Sequence, residues 1–92
     1  MRATMKVKEW VIEKAQQTAG SYNCYIDYER DENNHGLALR ENGYITVYVE
    51  EFLSESEKAM QVRLSTGSVV GSYKGWKLWI PKSQIGGVYE AV

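Results

Sequence analysis

The sequence predicts an α+β fold, in which an N-terminal helix packs on a small, curved antiparallel sheet or a partly open barrel. Three observations support this prediction. Apolar residues follow helical spacing only near the N-terminus, within residues 5–19. From about residue 22 to residue 91, apolar and polar side chains alternate with the period of two that is typical of strands. Short segments rich in Gly, Asn and Ser separate these strands, as in antiparallel connections.

Length and charge limit the classes of protein to consider. The 92 residues are enough for a single domain with one core. Eleven Lys and Arg against twelve Asp and Glu give a formal charge of −1, which does not point to nucleic acid or to a membrane surface. The single cysteine excludes an internal disulfide and a cysteine metal site. No segment approaches the about 18 apolar residues of a membrane span, so we expect a cytoplasmic protein.

The N-terminal helix is predicted over residues 5–19. Val7, Trp10 and Val11 recur at helical spacing, and Gly20 is placed to end the helix. The two valines weaken the first turn, so a strand is an alternative there. We expect Trp10 to dock on the sheet as part of the core.

Alternation along the rest of the chain predicts several short strands. They are expected at residues 22–29, 37–40, 44–50, 59–65, 68–73, 74–80 and 88–91. The inward phase of these strands predicts a core. Its members are Ile45, Val47, Val49, Met60, Val62, Leu64, Leu78 and Ile80.

Turn chemistry predicts the connections between the strands. Residues 30–36 form a polar hairpin loop, and Asn42-Gly43 is the strongest short hairpin signal in the chain. Capping-box spacing within residues 52–58 predicts one helical turn that interrupts the sheet. Residues 65–68 are expected to form a turn, and residues 81–84, PKSQ, a tight helical turn.

The segment WIPKSQIGGVYEAV, residues 79–92, resembles the closing segment of SH3-like barrels. In those barrels a single 3₁₀ turn links the last two strands. The resemblance implies a partly open SH3- or OB-like barrel. SH3 domains do not normally carry a helix such as the one predicted here, and their acidic peptide-binding loop has no clear counterpart in this sequence.

A second resemblance involves EKAMQVRL at residues 57–64 and WIPKSQI at residues 79–85. These segments are similar to a pattern in small, largely uncharacterised proteins of phages, prophages and mobile elements. Those proteins share a Lys-Ala-x-x-Val strand followed by Trp-Ile/Val-Pro-Lys-Ser-Gln. The resemblance implies a viral or mobile-element origin, and hence the cytoplasm of a bacterial host, but it implies no activity.

No catalytic signature stands out, and we expect a protein that is not an enzyme and has no cofactor or metal. His35 belongs to a polar hairpin tip without the carboxylate spacing of a metal loop. Cys24 has no neighbouring base and is expected to be a small buried hydrophobe. Residues 66–75 lack the Gly-Lys-Ser/Thr ending of a phosphate loop. The remaining carboxylate cluster is interpreted as a solvated face of Glu50, Glu51, Glu55 and Glu57.

The outward phase of the strands gives the candidate functional site. If Trp76, Leu78 and Ile80 fill the core, Lys77 and Trp79 face the other way. Aromatic rings that stack bases, beside Lys and Arg that meet phosphates, are how single-stranded nucleic acid is bound. The predicted aromatic-basic face comprises Tyr25, Arg40, Tyr44, Tyr48, Arg63, Lys77 and Trp79.

Two alternatives to nucleic-acid binding remain open. The outward aromatics are also a surface that the N-terminal helix could cover. Alternatively, Trp, Tyr and Arg are common anchors of protein interfaces, so the partner could be a host protein. In that case the carboxylate-rich segment 27–57 would mimic the negative charge of nucleic acid. The chain would then act as an inhibitor or adaptor on a host nuclease or defence complex.

Overall fold

The computed structural model describes residues 3–33, 36–68 and 75–90, with the side chains of Ser68 and Glu90 left aside. One helix packs against a curved antiparallel sheet, which confirms the α+β class. In chain order the elements are β1 (Ala3–Lys8), α1 (Glu9–Gly20), β2 (Cys24–Ile26), β3 (Arg40–Glu41), β4 (Tyr44–Glu55), β5 (Ala59–Leu64), β6 (Thr66–Ser68), β7 (Trp76–Pro81), a 3₁₀ turn (Lys82–Gln84) and β8 (Ile85–Glu90).

The main sheet has the strand order β7-β5-β4-β1-β8, and β3 pairs with the start of β4. All of these pairs are antiparallel. Among the described residues β7 and β8 are not paired with each other, so the sheet is an open, curved one rather than a closed barrel. The predicted turn after Pro81 is present as the 3₁₀ turn that joins these two edge strands. A second, two-stranded sheet consists of β2 and β6.

The helix begins at Glu9, so its predicted start at residue 5 is wrong. The residues before it form β1, in which Met5 and Val7 are fully buried while Lys6 is half-buried on the opposite side. This period of two is the strand alternative that the valines left open. Two neighbouring strands, β4 and β8, hold β1 in the middle of the sheet, which stabilises the extended form.

The helix packs on the core face of the sheet through a narrow stripe of Val11, Ile12, Ala15 and Ala19. Trp10 lies beside this stripe and is 52% exposed, so its predicted place in the core is wrong. Its indole Nε1 donates a hydrogen bond to Oε1 of Gln84 at 2.9 Å. With the helix beginning four residues later, Trp10 stands in the first turn, at the rim of the sheet instead of over its centre.

The predicted core is largely confirmed. Six of its eight members are buried, and Met60 and Leu78 are half-buried against them. Sequence reasoning left out the contributions from β1, α1 and β2. These are Ala3, Met5, Val7, Val11, Ile12, Ala15 and Ile26.

Two turn predictions have opposite outcomes. The Asn42-Gly43 hairpin is confirmed, with φ of 53° at Asn42 and 83° at Gly43. The helical turn at residues 52–58 is wrong, because β4 continues to Glu55 with bulges that keep it paired with β5. Ser56 closes the following hairpin instead of capping a helix, and its Oγ accepts a hydrogen bond from the backbone N–H of Ala59 at 3.1 Å.

The region around β2 also differs from expectation. The predicted strand 22–29 is regular only in Cys24–Ile26, and the predicted turn 65–68 instead supplies β6, its partner. The polar hairpin is confirmed by an antiparallel bridge between Arg30 and Ala38. The expected strand at residues 68–73 and the assignment of His35 fall almost wholly outside the described residues.

Candidate nucleic-acid interface

Three of the predicted site residues come together on neighbouring strands. In the β5–β7 register Arg63 lies opposite Lys77, and Gln61 lies opposite Trp79. Residues directly opposite in an antiparallel pair point to the same face, so the two cations and the ring share the side of the sheet away from the core. We call this side the outer face. Trp79 is 48% exposed there.

Ion pairs give the outer face a mixed charge. Arg63 Nη1 lies 2.5 Å from Oε1 of Glu51, and Lys6 Nζ lies 3.0 Å from Oε2 of Glu41. The hydrogen bond from Lys6 to Glu41, followed by their Coulombic attraction, raises the pKa of Lys6 above its ordinary value. An anionic ligand on this face would have to compete with carboxylates that already hold these cations.

The tyrosines of β4 are less accessible than predicted. Tyr44 is half-buried, and its ring lies so close to Gly86 that a Cβ there would be 2.7 Å from Cε1. The Nζ of Lys8 lies 4.6 Å from the centre of the Tyr44 ring. A base that stacks on the face of this ring next to Lys8 would therefore have to displace that lysine. Tyr48 is also half-buried.

The remaining two predicted site residues lie elsewhere. Arg40 pairs with Ile45 in the β3–β4 register, so it points to the core face, and its Nε lies 2.5 Å from Oε1 of Glu9. That hydrogen bond, together with the charge of Glu9, raises the pKa of the Arg40 guanidinium. Tyr25 is 47% exposed on β2, in the two-stranded sheet. Neither residue joins the cluster of Arg63, Lys77 and Trp79.

A groove between α1 and the open edge of β7 contains Trp79 together with residues that the sequence did not assign to the site. Its volume is about 340 Å³. It is lined by Trp10, Val11, Lys14, Ala15, Thr18, Trp76, Leu78, Trp79 and Pro81. We call this feature the tryptophan groove, since all three tryptophans of the chain line it. Because β7 is an edge strand, side chains from both of its faces reach the groove.

The tryptophan groove differs from the outer face in charge. Lys14 is the one ionisable residue among its described lining, and no carboxylate lines it. Neither Lys14 nor Lys77 forms an ion pair with any residue that the structure describes. The ion pairs found there are Lys6–Glu41, Arg40–Glu9, Arg63–Glu51 and Lys82–Glu55. The groove therefore combines exposed aromatic rings with one lysine in its lining, and neither this lysine nor nearby Lys77 is held by a carboxylate of the described residues.

Sequence reasoning missed Trp10, Lys14 and Trp76 as site residues. The signal for the first two was present, because Trp10 and Lys14 are four positions apart and so lie on one side of a helix. That side was interpreted as core. The packing of α1 leaves it at the margin of the sheet, beside β7.

The chain matches no family model, no curated protein and no solved structure. Within residues 3–33, 36–68 and 75–90, no group of three His, Cys, Asp or Glu side chains is placed to hold a metal ion. The helix in the same ranges is too short and too polar to cross a membrane. The geometry of the tryptophan groove is thus the main guide to function.

Proposed function

We propose that the chain is a non-enzymatic protein that binds single-stranded nucleic acid in the tryptophan groove. The observation that supports this most is the meeting of all three tryptophans in one groove whose described lining includes a lysine and no carboxylate. Proteins that bind single strands without sequence preference combine stacking platforms with a positively charged path for the backbone. The groove has tryptophan rings for stacking and a lysine in its lining to meet the backbone.

The rings at the two walls of the groove are accessible for stacking. Trp10 on α1 and Trp79 on β7 expose about half of their surface each, 52% and 48%. Stacking of a base on an aromatic side chain contributes about 1–3 kcal/mol. A single strand can turn its bases into such a groove, whereas the bases of a duplex are already stacked on each other. We therefore expect a preference for single strands.

In this proposal three cations beside the groove would meet the phosphates. Lys14 lines it, Lys77 precedes Trp79 by two residues on the same side of β7, and Arg63 lies opposite Lys77. Arg63 would exchange Glu51 for a phosphate. Three neutralised phosphates on a single strand give a log–log salt slope of roughly −2. Because the net charge is only −1 and gives no long basic surface, we expect the protein to contact a short stretch of the strand instead of a long one.

The origin of the chain belongs to the same proposal. A small phage or mobile-element protein that acts in a bacterial cytoplasm has ready access to single-stranded intermediates. The resemblance to SH3-like barrels is supported by the 3₁₀ turn between the last two strands and by the open, curved sheet.

The binding test uses the fluorescence anisotropy of a labelled single-stranded oligonucleotide, titrated with protein at several salt concentrations. We expect binding at low salt that is weaker for a duplex of the same sequence, with the slope given above. Lys14→Glu should weaken binding and reduce the slope by about 0.7. Lys8→Glu makes the same charge reversal at a lysine on the outer face, away from the groove, and is the matched control. If Lys8→Glu is the damaging variant, the ligand binds near Tyr44 and the groove is not the site.

A protein partner is the second candidate, and the half-exposed ring of Trp79 favours it. Trp and Arg are common anchors of protein interfaces, and Arg63 lies on the strand next to Trp79. Trp79 would then anchor a host nuclease or defence complex that the chain inhibits or recruits. This candidate predicts no oligonucleotide binding by folded protein at low ionic strength. It also predicts that the fluorescence of Trp79 changes only when such a partner is added.

A further inference from the structure

The other edge of the main sheet, β8, has the features of a strand that pairs with another chain. Among the described residues β8 pairs only with β1, and residues 85–89 carry no charge. Edge strands are usually protected against pairing by Lys or Pro. The opposite edge, β7, has both, in Lys77 and Pro81. β8 contains neither Lys nor Pro, and its one charged residue, Glu90, is its last.

The side chains on and beside β8 are apolar and partly uncovered. Val88 lies opposite Met5, on the core face, yet it is 40% exposed. Next to it is a recess of about 470 Å³, formed by the end of β4 and the start of β5. Its lining is mainly apolar: Phe52, Leu53, Met60 and Val88, with Ser54 and Glu55 at the rim. Phe52 is itself 39% exposed.

We propose that β8 pairs with β8 of a second copy, which gives a symmetric dimer with one continuous sheet. Antiparallel pairing about a twofold axis is self-complementary. With the axis at Val88, each Val88 meets its own equivalent on the core face, and each Gly87 meets Tyr89 of the other copy on the outer face. No like charges are placed opposite each other.

The glycine in this register suits an aromatic neighbour. The ring of Tyr89 already lies over Gly87 of its own strand, where a Cβ would be 2.8 Å from the phenolic oxygen. In the dimer this ring would exchange Gly87 of its own strand for Gly87 of the second copy, as in cross-strand pairs of tyrosine and glycine.

A second copy paired on β8 would also cover the recess. Specific interfaces bury about 1,200–2,000 Å² in total, more than a pair of six-residue strands supplies. The exposed apolar surface of Phe52 and Val88 adjoins β8 on the core face, so both copies bury it together. Because the contact is at the β8 edge, the dimer leaves both tryptophan grooves open at the opposite edge, beside β7 of each copy.

Sedimentation velocity over a range of protein concentrations tests this proposal without any nucleic acid. The wild type should shift from the 10.5 kDa monomer to twice that mass as concentration rises. Val88→Lys should remain monomeric, because two ammonium groups would meet at the axis. Val88→Glu should do the same, and an equimolar mixture of the two variants should recover the dimer. Trp79→Lys, on the other edge, is the control and should dimerise like the wild type.

Folding is checked by circular dichroism, and a second variant covers the case in which a charge at residue 88 disturbs the fold. Val88→Cys should form a symmetric disulfide-linked dimer under mild oxidation, whereas Trp79→Cys should not, and native Cys24 is buried. A wild type that stays monomeric at its highest attainable concentration overturns the proposal. So does a dimer that Trp79→Lys abolishes and Val88→Lys preserves.

Discussion

Trp10 illustrates how the role of one residue depends on where an element begins. Its spacing from Val7 and Val11 predicted a core position, but Val7 belongs to β1 and only Val11 shares the helix with it. Its exposure and its hydrogen bond to Gln84 place it at the wall of the tryptophan groove. A large exposed aromatic held in one orientation is better suited to contact a ligand than to stabilise the fold.

The first prediction at the residue scale concerns Trp10→Ala. We expect it to lower the free energy of unfolding by only about 1 kcal/mol, the net value of one hydrogen bond. Met5→Ala removes a fully buried side chain and should cost about 2–5 kcal/mol. Urea denaturation of both variants measures the difference. Equal losses for the two would return Trp10 to the core and remove one wall of the proposed site.

The second residue-scale prediction concerns the β3–β4 hairpin. Gly43 has φ of 83°, a conformation that costs a residue with a side chain about 1–2 kcal/mol. Gly43→Ala should therefore destabilise the protein by about that amount in urea denaturation. Gly67→Ala is the matched control, because Gly67 has no positive φ and open space at its Cβ position. A Gly43→Ala variant no less stable than the control would show that another turn conformation is accessible.

At the scale of elements, Gln16 holds the short strand β2 against α1. Its side-chain Nε2 donates to the carbonyl oxygen of Cys24 at 3.1 Å, and its Oε1 accepts from the N–H of Ile26 at 2.8 Å. A three-residue strand has few ladder bonds of its own, and β6 is its one strand partner among the described residues. The amide of Gln16 thus serves as an additional hydrogen-bonding edge for β2.

Gln16→Ala should leave two partly buried backbone groups without their partners. Each such loss costs about 1–3 kcal/mol where water cannot replace the bond, so we expect a clear drop in the unfolding free energy. The amide of Ile26 should also exchange faster with deuterium. Gln17→Ala, an exposed neighbour on the same helix, should change neither measurement. If both variants exchange alike at Ile26, the amide contact does not hold β2.

Elements with strong local signals could be predicted from the sequence, and those that depend on partners could not. Alternation identified β5 and β7 almost to the residue, and Asn42-Gly43 identified a hairpin. β1 was predicted as helix because its inward residue Val7 also fits helical spacing. Pairing with β4 and β8 stabilises the strand instead of the helix. Residues 52–55 have an apparent helix cap, but pairing of β4 with β5 outweighs this local preference.

At the scale of the whole molecule, the candidate site could be predicted only in part. Strand phase correctly placed Arg63, Lys77 and Trp79 on one face, because alternation is a local property. It could not show that Tyr44 is covered by Lys8 or that Arg40 points to the core face. It also could not predict that α1 lies beside the edge strand β7, because that position depends on how the helix crosses the sheet.

The most direct test of the account compares the binding of a single-stranded oligonucleotide by Trp79→Ala and Tyr25→Ala. Both variants remove a ring that is about half exposed, but only Trp79 lines the tryptophan groove. Loss of one stacking contact of about 1–3 kcal/mol corresponds to about 5- to 150-fold weaker affinity. We expect this for Trp79→Ala at unchanged denaturation midpoint, with wild-type affinity for Tyr25→Ala. Equal affinities for the two variants, or no binding by the folded wild type at low ionic strength, would contradict the account.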